Sequence, residues 1–270
     1  MNAIDFEYDS HYLSDFGFMI CSFDGSSGNQ NVSAGSEITF NTVSTQRGKI
    51  HTLASAVYES CIEAEFDIAK IECNTGVLSV ISDSEFRSII RWLNRSKFLR
   101  FRLLFDDYSE YENRYFNASF NLEKILSEDN LVGIKLKMVT NSPFAYGDKV
   151  VNSWSSDENV TKIISDVSDE IGDTLPTIEI TLKESGDLHI TNKTTSNTTI
   201  IKNCTIGEKI TIDSKHQIIY TDRDTHKIYN DFNYKFFKIC NTFDNPVNEI
   251  TTNLSCDIVV YYYPVIKNGL

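Results

Sequence analysis

Apolar and polar residues alternate with a period near two along most of this chain, so most of it reads as strand. Residues 82–105, SDSEFRSIIRWLNRSKFLRFRLLF, break the pattern. Phe86, Ile89, Ile90 and Leu93 recur at i, i+3, i+4 and i+7, which gathers them on one arc of a helix. Ser82 with Glu85 three residues on has the form of a capping box, each side chain satisfying a backbone N–H of the first turn. From Phe98 the period returns to two, and the run to Phe105 is apolar enough to predict a largely buried strand. The spacing predicts one helix in a chain of strands.

Upstream, AIDFEY and HYLSDFGFMICSFD read as two short strands around a loop. Residues 24–36 form a long polar loop, and EITFNTVST and KIHTLASAVYESCIEAEFDIAKIEC continue the strands. Within the latter, Ala64, Phe66 and Ile68 alternate with Glu63, Glu65 and Asp67, a half-exposed strand that a helical reading also fits in part. Residues 106–112, DDYSEYE, make an acidic connection. RYFNASFNLEKIL and NLVGIKLKMVT then read as an antiparallel pair, stopped at Pro143 because proline has no ladder donor. A first domain is expected over residues 1–147 and a second over 148–270. Residues 152–175 are polar and mixed, and from Pro176 onward short β-rich runs follow at even spacing. That texture predicts a β-sandwich or jelly roll. The class expected is mainly β: an N-terminal β-sandwich with one α-helix, then a C-terminal β-sandwich.

Composition narrows the function. A chain of 270 residues, 41% hydrophobic, can bury a core in each of two domains. A net charge of -13 excludes the basic footprint of a nucleic-acid binder and disfavours anionic lipid. No basic start with an apolar run opens the chain and no window resembles a membrane span, so synthesis in the cytosol without membrane insertion is expected. The six cysteines have no CxxC pairing and mostly sit in strand-like runs, which predicts buried reduced thiols.

Candidate chemistry is sparse. Arg87, Arg91, Arg95, Lys97, Arg100 and Arg102 form a basic cluster in an acidic protein. They fit an exposed helix face, or partners for carboxylates, either Asp106, Asp107, Glu110 and Glu112 or those of a neighbouring subunit. Trp92 at the edge of the apolar arc fits core packing or an aromatic anchor at a subunit contact. The subunit-interface candidates are therefore Arg87, Arg91, Trp92 and Arg95. The five histidines have no ligand spacing, and Asp222 and Asp224 lack the glycine and distal glutamate of a calcium loop, so no metal or other cofactor is expected. No nucleophile motif is present and no enzyme activity is expected. Tyr220, Tyr229, Phe232, Tyr234 and Tyr261 to Tyr263 permit a sugar site, although alternation turns at least one of the last three inward.

Several stretches together, DFGFMICSFD, EITFNTVSTQRGKIH, EFRSIIRWLNRSKFLRF, YFNASFN and GIKLKMVTNSPFAYG, resemble the distal tail proteins of siphophages. DLHITNK, TIIKNC, GEKITID, HQIIYTD, NDFNYKFFKI and VVYYYP are similar to the second domain of one subset of that family. The resemblance implies a non-enzymatic virion protein at the tip of a long non-contractile tail. By that likeness the N-terminal domain forms a hexameric ring between the tail-tube protein and a tail-associated tip protein. A galectin-like or carbohydrate-binding-module-like C-terminal domain projects outward, to receptor-binding proteins or to the host surface. The alternative the residues leave open is an adhesin module for host cell-wall carbohydrate.

Overall fold

The computed structural model describes residues 3–21, 38–44, 51–58, 60–70, 79–105, 114–156 and 160–267. The polar loop at 24–36, the acidic connection at 106–112 and Cys73 lie outside the described residues. The chain is mainly β, and it divides into two compact units, residues 1–147 with 266–270, and residues 148–265.

In the first unit β1 (Ala3–Tyr8) and β2 (His11–Tyr12) form a tight ribbon. A 3-10 turn at Leu13–Phe16 follows, then β3 (Met19–Cys21). That turn has no amphipathic period to betray it; it ends at Gly17, whose φ of 75° suits glycine because a Cβ is disfavoured there. β4 (Thr39–Ser44) and β5 (His51–Val57) pair as a separate hairpin. β6 (Glu63–Ala69), α1 (Asp83–Leu93), β7 (Leu99–Phe105), β8 (Arg114–Ser127), β9 (Asn130–Thr140) and β10 (Ala145–Gly147) complete the unit. The main sheet runs β2-β1-β7-β8-β9-β6-β3, antiparallel throughout. Between β8 and β9 the two-residue turn places Glu128 at φ 47° and Asp129 at φ 67°, the primed turn geometry that matches strand twist. The sheet curls until β1 lies near β3, and Phe6 of β1 meets Phe66 of β6 at 5.7 Å between ring centres.

Alternation fills the inside of the curl. Phe6, Tyr8, Phe101, Phe120, Ile134, Leu136 and Met138 are buried to within a few per cent, and α1 adds Ile89, Trp92 and Leu93. β7 departs from the expectation of a largely buried strand. Only Phe101 is fully buried and Phe98 is half exposed, because just one face meets the core. On its other face Arg100 lies 4.2 Å from the centre of the Tyr115 ring and Arg102 reaches Glu7 at 4.0 Å.

The second unit is a sandwich of two antiparallel sheets. It begins β11 (Val150–Ser156), β12 (Thr161–Ser165), β13 (Gly172–Thr174), β14 (Thr177–Leu182), β15 (Gly186–Asn192) and β16 (Asn197–Cys204). β17 (Lys209–Asp213), β18 (Ile218–Thr221), the short helix α2 (Ile228–Asp231), β19 (Ile239–Asn241), β20 (Val247–Thr252) and β21 (Cys256–Tyr262) complete it. One sheet runs β11-β21-β14-β17-β18, the other β12-β20-β15-β16, and β13 pairs with β19. The inward rows, Ile178, Ile180 and Leu182 against Leu188 and Ile190, with Ile210, Ile212, Ile258 and Val260, make a largely aliphatic core. Of the three consecutive tyrosines Tyr262 points inward, its hydroxyl donating to the Ser165 carbonyl at 3.2 Å. Buried Asn248 and Asn192 bond each other at 2.9 Å, and Asn248 also takes the Cys240 N–H, so these two buried amides are satisfied.

Cys204 and Cys256 are buried, and burial pushes their thiols up to about 12 and about 11, which keeps them protonated. Cys61 is exposed, against the expectation for it.

Candidate functional site

The helix forms where its ends are satisfied. Ser82 Oγ accepts from the Glu85 N–H at 3.4 Å, and Glu85 Oε2 accepts from the Ser82 N–H at 2.9 Å. Lys70 Nζ sits 2.5 Å from the other Glu85 oxygen. These donors, Lys70 foremost, lower the Glu85 carboxyl to about 2.

The helix then sorts its side chains by face. Ile89, Trp92 and Leu93 go inward while Arg87 and Arg91 are exposed on the opposite side. Trp92, a candidate anchor at a subunit contact, is instead core: it is 5% exposed. Its ring stacks on Phe6 at 5.5 Å and Phe16 at 4.5 Å, and its Nε1–H donates to the Tyr8 carbonyl at 2.9 Å. A side chain this enclosed cannot present itself to a neighbour.

The basic cluster splits by the same geometry. Arg95, just past the helix, donates from Nε to the Trp92 carbonyl at 3.1 Å and lies 3.9 Å from Asp9. Its own carbonyl accepts from Ser119 Oγ at 2.7 Å, so Arg95 ties the helix end to the sheet. Arg100 and Arg102 belong to β7, as described. Arg87 and Arg91 reach no carboxylate among the described residues. The acids first matched to the cluster at 106, 107, 110 and 112 lie outside those residues, whereas Glu7 and Asp9 of the first strand and its turn were not foreseen as partners. What remains is a short exposed cationic row on α1. Guanidinium groups placed this way can bind carboxylates.

In the second unit a charged network lies under the surface. Glu208 is fully buried; it accepts from His226 Nδ1 at 2.6 Å, Thr221 Oγ1 at 2.5 Å and the Thr205 N–H at 2.9 Å. The other ring nitrogen of His226 faces Asp231 at 3.3 Å. Burial opposes charge on Glu208, yet the bonds from Thr221, His226 and Thr205 hold its carboxyl below the usual range. Glu208 and His226 are 18 positions apart, so no spacing could have announced the pair. Among the described residues no group of three or more histidine, cysteine or acidic side chains is arranged to hold a metal. No helix among them is long and apolar enough to cross a membrane.

Of the aromatics weighed for sugar, Phe232 and Tyr262 are buried, while Tyr220, Tyr229, Tyr234 and Tyr263 are about half exposed or more.

The arrangement is two β units and one side-chain-capped helix with an outward cationic row, and the comparisons give the family. A model described as a phage tail protein N-terminal domain matches residues 1–142, and one described as a phage tail C-terminal domain matches residues 144–262. The chain belongs to this family of phage tail proteins. Among solved structures it is similar to the crystal structure of the SPP1 Dit (gp 19.1) protein, described as a paradigm of the hub adsorption apparatus in phages infecting Gram-positive bacteria. That likeness has a TM-score of 0.65 at 12% identity and covers 97% of this chain and 99% of the other. The chain thus has the fold of a siphophage distal tail protein. Compared with curated protein sequences, it finds no match.

Proposed function

We propose that this protein is a ring-forming adaptor at the distal end of a long phage tail, where a hexamer joins the tube to the tip. The observation that carries the reading is the fold shared over nearly the whole chain with a hub protein, within a family of phage tail proteins. Its mechanism is geometric. A head-to-tail contact repeated around an axis closes when the rotation between neighbours divides the circle. The first unit supplies the tile, and the exposed row of Arg87 and Arg91 is one half of the contact, its other half being acidic groups of the next copy. With a net charge of -13 in total, acids are plentiful elsewhere on the chain. The same acidic balance gives a lumen that does not trap exiting DNA. The adaptor has no catalytic centre and needs no cofactor. It sits at the virion tail tip and contacts the tube protein above and the tip protein below. Receptor-binding proteins attach through the second unit.

The test is Arg87→Glu combined with Arg91→Glu. Neither side chain has a carboxylate partner among the described residues, so the monomer should keep its stability while assembly weakens. Full-size rings from this variant by light scattering at moderate salt refute the intersubunit role. A second reading, an adhesin for carbohydrate, is favoured by one observation, the exposure of Tyr229 and Tyr234.

A further inference from the structure

Among the described non-glycine residues with left-handed backbone, Tyr234, at φ 58°, is the one aromatic. Such a conformation for a bulky residue costs on the order of 1–3 kcal/mol and persists only where its surroundings enforce it. The enforcement is visible. Asn233 is held to β16 by its backbone N–H to the Ile200 carbonyl at 3.1 Å and its side-chain amide to the Thr198 carbonyl at 3.0 Å. On the far side Thr199 Oγ1 donates to the Lys235 carbonyl at 2.8 Å. These bonds cover the edge of the sheet at β16, which accounts for the turn but not for an aromatic at its strained position. Asparagine or glycine would take that backbone at lower cost.

The ring is held as well as the backbone. Tyr234 hydroxyl donates to the Tyr229 carbonyl at 2.8 Å, and its ring lies 5.5 Å from the buried Phe232 ring. With its hydroxyl used internally, Tyr234 offers a partner chiefly its ring, and it is 65% exposed; Tyr229 is 57% exposed. From 221 to 237 these two are the exposed large apolar side chains; Ile228, Phe232 and Phe237 are buried. Their surroundings are polar: Asn230 and Lys235 are exposed, and Asp231 accepts from Asn203 at 2.9 Å. The exposed Tyr229 and the held, exposed Tyr234, among amide, carboxylate and ammonium groups, do not match the apolar centre of a protein contact. They match a ligand with apolar C–H faces and hydroxyl edges.

We infer that Tyr234, with its ring held in place, and Tyr229, to whose carbonyl it is bonded, form a stacking site for a neutral hexopyranose polysaccharide. The inference rests on the second reading above and gives that reading a location.

The experiment titrates the full chain with cellohexaose, chitohexaose and mannohexaose, and with a glycerol-phosphate polymer as an anionic comparison, followed by calorimetry and tyrosine ring NMR. The expected result is saturable binding of at least one neutral hexasaccharide, with shifts at Tyr229 and Tyr234. Tyr234→Asn should bind at least about tenfold more weakly, equivalent to about 1.4 kcal/mol. Because asparagine accepts the left-handed backbone, that variant should unfold no sooner than the parent. Binding that survives both Tyr229→Ala and Tyr234→Asn overturns the site while leaving sugar recognition standing. Binding of none of the neutral sugars, or of the anionic polymer alone, overturns both. A clear loss of stability in Tyr234→Asn makes the ring structural and also overturns the proposal.

Discussion

His226→Ala would leave a carboxylate inside the second unit without the ring nitrogen that answers it. Glu208 is fully buried, His226 has a side chain 5% exposed, and the contact between them is 2.6 Å. Removing one partner of a buried pair typically costs about 3–5 kcal/mol, most of it the penalty of the charge left behind. Here Thr205 and Thr221 still donate to Glu208, which argues for the lower end, about 3 kcal/mol. The cost should also depend on pH, with a definite sign. The folded Glu208 carboxyl lies below its ordinary value of 4.5, so its stabilisation is fully present above that value and is lost as pH falls through the folded value. Protonation relieves the stranded charge in the variant, so the difference between parent and His226→Ala should shrink as the carboxyl is protonated on acidification. The assay is equilibrium urea unfolding read from Trp154, which packs on the second core, in a Trp92→Phe background that silences the other tryptophan. A difference below about 1 kcal/mol at neutral pH, or one that does not shrink on acidification, would refute the reasoning.

Further outcomes follow from the first unit. Trp92→Ala should cost about 3–5 kcal/mol, because it empties the stack between Phe6 and Phe16, and thermal unfolding of that unit checks it. Ser82→Ala should cost about 1 kcal/mol through the lost cap. NMR titration should find the Glu85 carboxyl at about 2, so its contribution holds above 4.5 and disappears as pH falls toward 2. Replacing Glu128 and Asp129 by Asn and Gly should stabilise the hairpin by a few tenths of a kcal/mol or more, since those residues accept the two positive φ angles more readily, and a lower melting temperature would contradict it.

The sequence made the long, strongly periodic pieces readable. The capping box at Ser82 and Glu85 and the four-residue recurrence through Leu93 gave α1, and two alternating runs around 127–130 gave the β8–β9 hairpin. Weakly patterned pieces were hidden. Strands β11 to β13 fall in residues called polar and mixed, because β11 and β12 mostly alternate half-buried with exposed positions and offer little apolar contrast. β20, VNEITT, carries just two apolar residues to mark it although it lies inside the four-stranded sheet, and α2 is too short to show a period. At the candidate site the arginines were visible by type, but their division was not. Whether an arginine is tied down depends on Glu7 and Asp9, which the fold brings in from the first strand and its turn. Trp92 shows the limit in the other direction: a position at the edge of a helical arc is settled only by what packs over it, here Phe16 from the 3-10 turn.

The central claim is that the first unit tiles around an axis. Electron microscopy of the purified full chain and of assembled tails, with mass from light scattering, tests it most directly. The account predicts closed rings of one size at the tail's distal end, whose population falls when Arg87 and Arg91 are reversed in charge. Single chains in both preparations, with no closed ring at any concentration, would contradict it.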